Sequence, residues 1–233
     1  MTGVQTCALP ISPTVPTSGD DQLVLPNEGG QVSAGDGDDR VTGALGDDVI
    51  YGNAGADSMS SGAGADIARG GQGNDFVQGN SGDDLVFGDR GDDIVHGGKG
   101  ADLVQGNTGD DVVLGDDGDD IVRGGQGNDQ VFGGEGADLL FGDLGNDSLT
   151  GGSGADAFHF PSGSQGRDLI TDFTRAEGDR IIIDSPLAAN FGDLASRISQ
   201  AADGSAMIDL GDLVITIQGV APGALGAGDF LFG

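Results

Sequence analysis

The feature that most constrains this chain is a nine-residue repeat, which runs from Ala34 to His159 without an insertion. Across its fourteen units the fourth residue is always Gly, the sixth is always Asp, and the eighth is always apolar. The unit Gly70–Gln78, GGQGNDFVQ, is typical. Because a disordered Gly/Asp linker would not keep an apolar position in phase over this length, the repeat predicts a folded array of similar structural units.

Each position of the unit has a structural role. Positions one to six are rich in Gly, Asn and Asp, which tolerate a left-handed backbone, and they predict a turn. Positions seven to nine predict a short strand, with position eight pointing inward and its two neighbours outward. Two turns and two strands complete a coil of 18 residues, so the fourteen units make about seven coils. We therefore predict an all-β fold, a parallel β-roll (a two-sheet β-solenoid), with odd units in one sheet and even units in the other.

The Asp residues at position six recur one coil apart along each edge of the predicted roll, where stacked carboxylates repel one another. A hard divalent cation would offset this repulsion, because it prefers carboxylate oxygens and the carbonyl oxygens that Gly-rich turns expose. Ca²⁺ is favoured over Mg²⁺, which keeps more waters, and the repeats offer softer metals no Cys and only His96 and His159. The candidate metal ligands are Asp39, Asp48, Asp57, Asp66, Asp75, Asp84, Asp93, Asp102, Asp111, Asp120, Asp129, Asp138, Asp147 and Asp156. Twelve pairs of neighbours on the same edge allow up to about twelve ions.

The charge balance agrees with a cation-binding protein and excludes other partners. The chain has 39 acidic and 9 basic residues, a formal net charge of −30. We exclude nucleic acid as a partner, because binding a phosphate backbone depends on Lys and Arg. No apolar run approaches the ~18 residues of a transmembrane helix, so we expect no transmembrane segment.

With its Gly-Gly-x-Gly-x-Asp turn followed by an x-apolar-x strand, the repeat resembles the RTX, or hemolysin-type calcium-binding, nonapeptide repeat. The resemblance implies Ca²⁺ ions between turns one coil apart, each bound by both position-six Asp side chains and by turn carbonyls. The sequence departs from the pattern at Ala34, Ala44 and Ser61, in positions one and two. We therefore expect weaker sites in the first four units.

The residues before the repeat are of two kinds. Residues 1–12, MTGVQTCALPIS, resemble the translation of a common sequencing adapter, and we expect them to be an artefact that includes the single Cys, Cys7. Residues 13–33 contain several Pro and Gly and predict a linker. On this interpretation the chain is the C-terminal part of a longer protein whose natural N-terminal part is missing.

Residues 160–233 leave the nine-residue pattern. They predict a small β-rich cap that closes the open end of the roll, with a helix at Phe191–Gln200 and a hairpin formed by Ala206–Leu210 and Leu213–Gln218. This segment resembles the region that follows the roll in serralysin-type proteases and other exported RTX proteins. The resemblance implies a type I secretion signal region, the type I secretion apparatus as a partner, and a secreted, extracellular location.

Position seven is apolar in every even unit, forming a column along one sheet. Its members are Val49, Ile67, Leu85, Leu103, Ile121, Leu139 and Ala157. Because position seven points outward, the column suggests a covering element, either the C-terminal cap or an upstream domain. The alternative is an uncovered sheet face that reflects β-propensity alone.

The chain carries no HExxH metalloprotease motif, no GxSxG nucleophile motif and no phosphate-binding P-loop. We therefore predict a non-enzymatic calcium-binding module of a secreted bacterial protein, in which Ca²⁺ drives folding after export. Two alternatives stay open. The chain could be the accessory part of a secreted enzyme, such as a serralysin-type metalloprotease, a lipase or an alginate epimerase, or it could be an RTX adhesin or matrix protein.

Overall fold

The computed structural model describes residues 4–6 and 17–233, which wind into a solenoid of about eight turns with two sheets. Of the residues interpreted as an artefact, Val4–Thr6 form a strand beside Gln22–Val24, and the others lie outside the described residues. That interpretation stays a prediction. None of the helices in the described residues is long and apolar enough to cross a membrane.

Within this part of the chain the first sheet has thirteen strands and the second has eleven. In spatial order, the first sheet contains β1 (Val4–Thr6), β3 (Gln22–Val24), β5 (Arg40–Thr42), β7 (Ser58–Ala63), β9 (Phe76–Ser81), β11 (Ile94–Lys99), β13 (Val112–Asp117), β15 (Gln130–Glu135), β17 (Ser148–Ser153), β19 (Gly166–Ile170), β23 (Leu213–Ile217), β22 (Ala206–Asp209) and β21 (Ile198–Gln200). The second contains β2 (Thr17–Ser18), β4 (Gln31–Asp36), β6 (Val49–Ala54), β8 (Ile67–Gln72), β10 (Leu85–Arg90), β12 (Leu103–Thr108), β14 (Ile121–Gln126), β16 (Leu139–Leu144), β18 (Ala157–Phe160), β20 (Arg180–Ile183) and β24 (Phe230–Phe232). One short helix, α1 (Phe191–Ala195), and two 3₁₀ turns, Pro222–Ala224 and Ala227–Asp229, complete the described elements.

The register confirms the predicted parallel β-roll. Each repeat strand pairs with the strand two places further along the chain, so Val77 lies beside Val95 and Val95 beside Val113. Position eight lies inside the roll and is at most 1% exposed in all fourteen units. Burying this column of apolar side chains stabilises the folded state by about 1.5–3 kcal/mol for each large residue.

The repeat strands are longer than the sequence pattern predicts. Most contain six residues, from position seven of one unit to position three of the next, as in β9. The left-handed residue at position two bends the strand without ending its pairing, and Asn80, for example, has a φ of 77° yet pairs with Gly98. The turn is therefore confined to positions four to six.

Unit two is the exception among the repeats. Its second residue is Ala44, for which a left-handed conformation is costly, and neither Ala44 nor Gly46 has a positive φ. The strand β5 consequently ends at Thr42, and Leu45 is left exposed in the turn.

The solenoid begins before Ala34, within the segment that predicts a linker. Strands β3 and β4 belong to the two sheets, and Leu23 pairs with Val41 while Val32 pairs with Ile50. Val32 is buried like the position-eight residues. The turn before β3 keeps the signature, since Gly19 and Asp21 stand where the repeats have Gly and Asp, but the turn before β4 has Glu28 and Gly30 at those positions. This break in the pattern hid the additional coil.

The C-terminal residues extend both sheets at the end of the roll. Strand β19 pairs with β17 and then with β23, while β20 pairs with β18 and then with β24. The predicted hairpin is present as the antiparallel pair β22–β23. The predicted helix is shorter than expected, because the chain leaves α1 at Ala195 and forms β21, which pairs with β22 at the sheet edge.

The cap lies at the end of the roll and not over the even-unit apolar column, which corrects that part of our expectation. Its strands satisfy the backbone groups of the last coil, a contact that an outward sheet face does not offer. Leu85 and Ile121 in the column are left 39% and 42% exposed. An upstream domain as the covering element stays a prediction.

Candidate metal centres

The Asp residues at position six form two rows, one along each turn edge of the roll. The odd row contains Asp39, Asp57, Asp75, Asp93, Asp111, Asp129 and Asp147; the even row contains Asp48, Asp66, Asp84, Asp102, Asp120, Asp138 and Asp156. All fourteen residues are only 1–3% exposed. Each ends its turn and precedes a strand, and its backbone is tied into the next coil, as when Phe76 N–H donates to Asp57 O at 2.8 Å.

One carboxylate oxygen of each Asp holds the preceding coil. Asp57 N–H donates to Asp75 Oδ1 at 2.8 Å, and Asp75 N–H donates in turn to Asp93 Oδ1 at 2.8 Å. The same bond joins all twelve neighbouring pairs in the two rows, at 2.7–3.0 Å. Each row is thus a continuous chain of buried carboxylates, as the repeat spacing predicts.

The other carboxylate oxygen, Oδ2, is buried without a hydrogen-bond partner in thirteen of the fourteen residues. In eleven of these thirteen residues it faces the Gly at position one of its own turn. A Cβ atom at Gly70, for example, would overlap Asp75 Oδ2 and approach the carbonyl oxygen of Gly88 in the next coil. At these positions a carboxylate oxygen and a carbonyl oxygen therefore converge on a space that the Gly leaves open, and an unpaired buried carboxylate oxygen is energetically costly.

The electrostatics of the rows oppose ionisation when no cation is bound. Burial raises the pKa of Asp75 to about 6 and the pKa of both Asp84 and Asp93 to about 7. The charges of neighbouring carboxylates raise the pKa further, as Asp102 and Asp66 do for Asp84. A bound dication would reverse this preference and favour the ionised form.

The donor set fits a hard cation. Among residues 17–233 no group of three or more His, Cys, Asp or Glu side chains could hold a metal ion by itself. An ion on either edge would therefore take carboxylate oxygens from two successive coils and add backbone carbonyl oxygens, the ligand type that Ca²⁺ prefers. His96 and His159 belong to neither row and pair instead with Asp116 and Asp184, at 2.9 and 3.0 Å.

Asp48 differs from the other predicted ligands. Its Oδ1 accepts from Gly30 N–H at 2.6 Å, and its Oδ2 accepts from Ala44 N–H at 3.2 Å. The irregular turn around Ala44 thus satisfies the oxygen that is unpartnered elsewhere. In unit four, Ser61 replaces Gly at position one and contributes a buried hydroxyl that has no partner.

Sequence reasoning missed a second set of side chains, at position five. There an Asp or Asn side chain accepts the position-five N–H of the next coil: Asn74 Oδ1 accepts from Asp92, and Asp92 Oδ1 from Asp110, at 3.1 and 3.0 Å. Six of the seven odd units have Asp or Asn at this position, but only three of the seven even units do. This enrichment is visible in the sequence and would have indicated the role.

Sequence reasoning also missed two Asp residues that continue the rows beyond the repeat. Asp147 N–H donates to Asp168 Oδ1 at 3.0 Å, and Asp156 N–H donates to Asp179 Oδ1 at 3.2 Å. The shared spacing is hidden by extra residues, since the partners are 21 and 23 positions apart instead of 18.

Comparisons with known proteins bear on these rows. Residues 33–160 match, in successive windows, the family model of the RTX calcium-binding nonapeptide repeat. No curated protein matches the chain. Among solved structures, the AlgE6R3 subunit of the mannuronan C5-epimerase of Azotobacter vinelandii is 32% identical, covers 52% of this chain and 77% of its own, and has a TM-score of 0.41. The extracellular lipase LipA of Serratia marcescens is 16% identical over 88% of this chain and 40% of its own, with a TM-score of 0.37.

Proposed function

The chain belongs to the family of RTX calcium-binding nonapeptide repeats, and from that premise we propose that its two Asp rows bind Ca²⁺ between successive coils and that this binding drives folding. The observation that carries the proposal is the set of thirteen buried Oδ2 atoms without a hydrogen-bond partner. Position-six carboxylates of neighbouring coils and turn carbonyls would hold each ion, with up to about twelve ions between the fourteen Asp residues.

Calcium would act as a switch between an unfolded and a folded chain. For a site with a dissociation constant of ~10⁻⁴ M, ~1 mM Ca²⁺ stabilises the folded state by about 1.4 kcal/mol. At submicromolar Ca²⁺ this stabilisation vanishes, while the buried carboxylates and the entropy cost of the glycines remain. The ion concentration therefore selects the state of the chain.

This switch suits a protein that leaves the cell unfolded. We infer that the chain folds after export, in the extracellular medium, and that residues 160–233 combine the cap with a type I secretion signal region. The type I secretion apparatus would then be its partner during export. We assign the module no catalytic step, because its buried carboxylates are spaced regularly along two edges, an arrangement suited to ions and not to one reacting centre.

The proposal is tested by far-UV circular dichroism of the full chain during a Ca²⁺ titration, with Mg²⁺ as the control cation. We expect a cooperative transition from coil to β structure near ~10⁻⁴–10⁻³ M Ca²⁺, and none with Mg²⁺ at the same concentrations. A spectrum that already shows the β-roll in excess chelator, or one that stays coil in 10 mM Ca²⁺, would contradict the proposal.

A further inference from the structure

The odd row continues into the cap through an interrupted fifteenth unit. After His159, the three residues 160–162 intervene, and the sequence GSQGRD at 163–168 then restores the Gly, Gly and Asp of a repeat turn. The family match ends at residue 160, before this segment. In the structure, β19 pairs with β17 so that Leu149 lies beside Ile170, and Asp168 takes the place of the next position-six residue.

The fourth residue of this unit keeps the repeat geometry. Gly166 has a φ of 119°, like the position-four glycines, and a Cβ atom there would overlap Gly145 O of the previous coil. The position-five contact is also kept, because Arg167 N–H donates to Asn146 Oδ1 at 3.0 Å. The turn from Gly166 to Asp168 therefore stacks on the last odd unit as the repeats stack on one another.

Asp168 carries the same unpartnered oxygen as the repeat carboxylates. The residue is 1% exposed, its Oδ1 accepts from Asp147 N–H, and its Oδ2 is buried without a partner. Asp147 Oδ2 in the preceding coil is unpartnered as well, and so is the buried hydroxyl of Ser164 in the same turn. Two buried carboxylates thus meet at the junction with oxygens that the protein leaves unsatisfied.

On the even edge Asp156 also has an unpartnered Oδ2, but the Asp that follows it in the next coil does not. Asp179, which follows Asp156, accepts from Thr174 N–H through Oδ2 at 2.6 Å, so both of its oxygens are bonded. The turn before Asp179 has Glu177 where the repeats have Gly. The two junctions therefore differ in chemistry, although both place an Asp one coil beyond the repeat.

We propose that Asp147 and Asp168 hold an additional Ca²⁺ ion at the junction of the roll and the cap, on the odd edge only. The proposal rests on the calcium function proposed above. The ion would fasten β19 to the last repeat coil, and β19 in turn carries β23 through their parallel pairing and through the Gly166 N–H bond to Asp212 O. Docking of the cap on this edge would then depend on calcium.

The test compares Asp168→Asn with Asp179→Asn in the full chain. Asn at 168 can keep the acceptor for Asp147 N–H while it removes the charge. We expect this variant to bind one Ca²⁺ fewer than the unmodified chain in equilibrium dialysis, and the amides of β19 and β23 to exchange hydrogen at least about tenfold faster in saturating Ca²⁺. Asp179→Asn loses a backbone hydrogen bond but should bind as many ions as the unmodified chain.

An unchanged ion count in Asp168→Asn, or an equal loss in both variants, would overturn the proposal. A second measurement needs no variant: amide protection of β23 in the unmodified chain should rise with Ca²⁺ together with that of β17. Full protection of β23 at Ca²⁺ concentrations that leave β17 unprotected would also overturn it. If the unmodified chain binds no Ca²⁺, the proposed function itself fails, which is a different result.

Discussion

The two turn edges of the roll carry the same Gly–Asp turn but connect their coils differently. On the odd edge the position-five side chains form an unbroken series of hydrogen bonds from Asn74 to Arg167. On the even edge such bonds occur at every second step, from Ala65, Ala101 and Ala137 N–H to the preceding Asp, because Ala cannot accept the next one. The odd edge thus has a second link between coils that requires no ion, and the even edge depends more on its position-six carboxylates.

One repeat motif can therefore combine two kinds of connection between successive coils, one at position six and one at position five. Position six is Asp in every unit and leaves unpartnered buried oxygens on both edges, which is why we propose cations on both edges. Position five is exposed and its residue varies. Each hydrogen bond at this position stabilises the folded state by roughly 0.5–1.5 kcal/mol and requires no bound ion.

Calcium removal should have the largest effect, and it tests whether the position-five hydrogen bonds can hold the odd edge together without an ion. Because both rows contain buried, ionised carboxylates, we expect excess EGTA at pH 7.5 to remove the β signal of the whole repeat, measured by circular dichroism. Hydrogen exchange would then be equally fast on the two edges. Protection retained only around Asn74–Asn146 in EGTA would show that position five alone holds the odd edge together.

A change of pH should act in opposite directions with and without calcium. The folded pKa values of Asp84 and Asp93, about 7, lie above the ordinary value of 3.8, so the metal-free folded chain binds more protons than the unfolded chain between pH 4 and 7. Its stability therefore falls as the pH rises through this range. With calcium the direction reverses, because ligand carboxylates must lose protons to bind the ion.

This pH prediction is checked at pH 5 and pH 7 by circular dichroism in EGTA and by urea unfolding in Ca²⁺. We expect the metal-free chain to show more β structure at pH 5 than at pH 7, and the calcium-loaded chain to be more resistant to urea at pH 7. The same pH direction in both conditions would contradict the role of the rows.

Substitutions at two adjacent residues of the odd edge distinguish the contribution of position six from that of position five. Asp111→Asn weakens the sites shared with Asp93 and Asp129, and we expect a loss of about 3 kcal/mol in 1 mM Ca²⁺, the contribution of two sites. Asp110→Asn removes the same charge but keeps the carbonyl that accepts from Asn128 N–H at 2.7 Å, so the expected loss is below about 0.5 kcal/mol. Chemical denaturation in calcium measures both.

The matched pair on the even edge is Asp120→Asn and Asp119→Asn. Because Asp120 also has an unpartnered Oδ2 and two row neighbours, we expect the same ranking there. Equal effects at positions five and six on either edge would argue against ion binding at position six.

Asn128→Ala should convert one step of the odd edge into the even-edge arrangement. The substitution removes the acceptor for Asn146 N–H and Nδ2, at 3.1 and 2.9 Å, without a change of charge. We expect a loss of about 1 kcal/mol in calcium and an unchanged number of bound ions. A lower ion count in dialysis would mean that position five also serves the metal.

The smallest effect is expected from the reverse change, Ala65→Asn. The introduced side-chain oxygen would accept Asp83 N–H, as Asn74 does for Asp92, and would close one gap on the even edge. We expect a gain of roughly 0.5 kcal/mol. Ala65→Leu, which fills the same exposed position without an acceptor, is the control and should give no gain.

Much of the fold follows from the repeat, because its period has a direct geometric meaning. Gly at position four, Asp at position six and an apolar position eight specify the turn, the row and the core, and Val77, Val95 and Val113 lie where the pattern places them. The pattern did not reveal the strand character of positions one to three. Gly-rich segments favour turns in isolation, and these positions form strands here because they pair with the neighbouring coil.

The candidate site also has one part that the sequence identifies and another that only the structure shows. The sequence identifies the position-six carboxylates, and the family comparison assigns the repeat to calcium binding. The calcium ligation of individual residues stays a prediction. It was the structure that placed Asp168 beside Asp147, and Asp48 against Ala44 N–H, because an insertion or a changed turn alters spacing in ways that a nine-residue period does not record.

The sequence by itself determined the coil length, the inward column and the two rows of carboxylates, because each depends on a local period of nine residues. Only the tertiary structure decided which carboxylate oxygens are satisfied, how the ends of the roll are closed, and where the C-terminal strands lie. The physical reason is that these features depend on hydrogen bonds between residues 18 or more positions apart, such as Asp147 N–H to Asp168 Oδ1. Such partners are selected by the stacking of whole coils, which no single unit specifies.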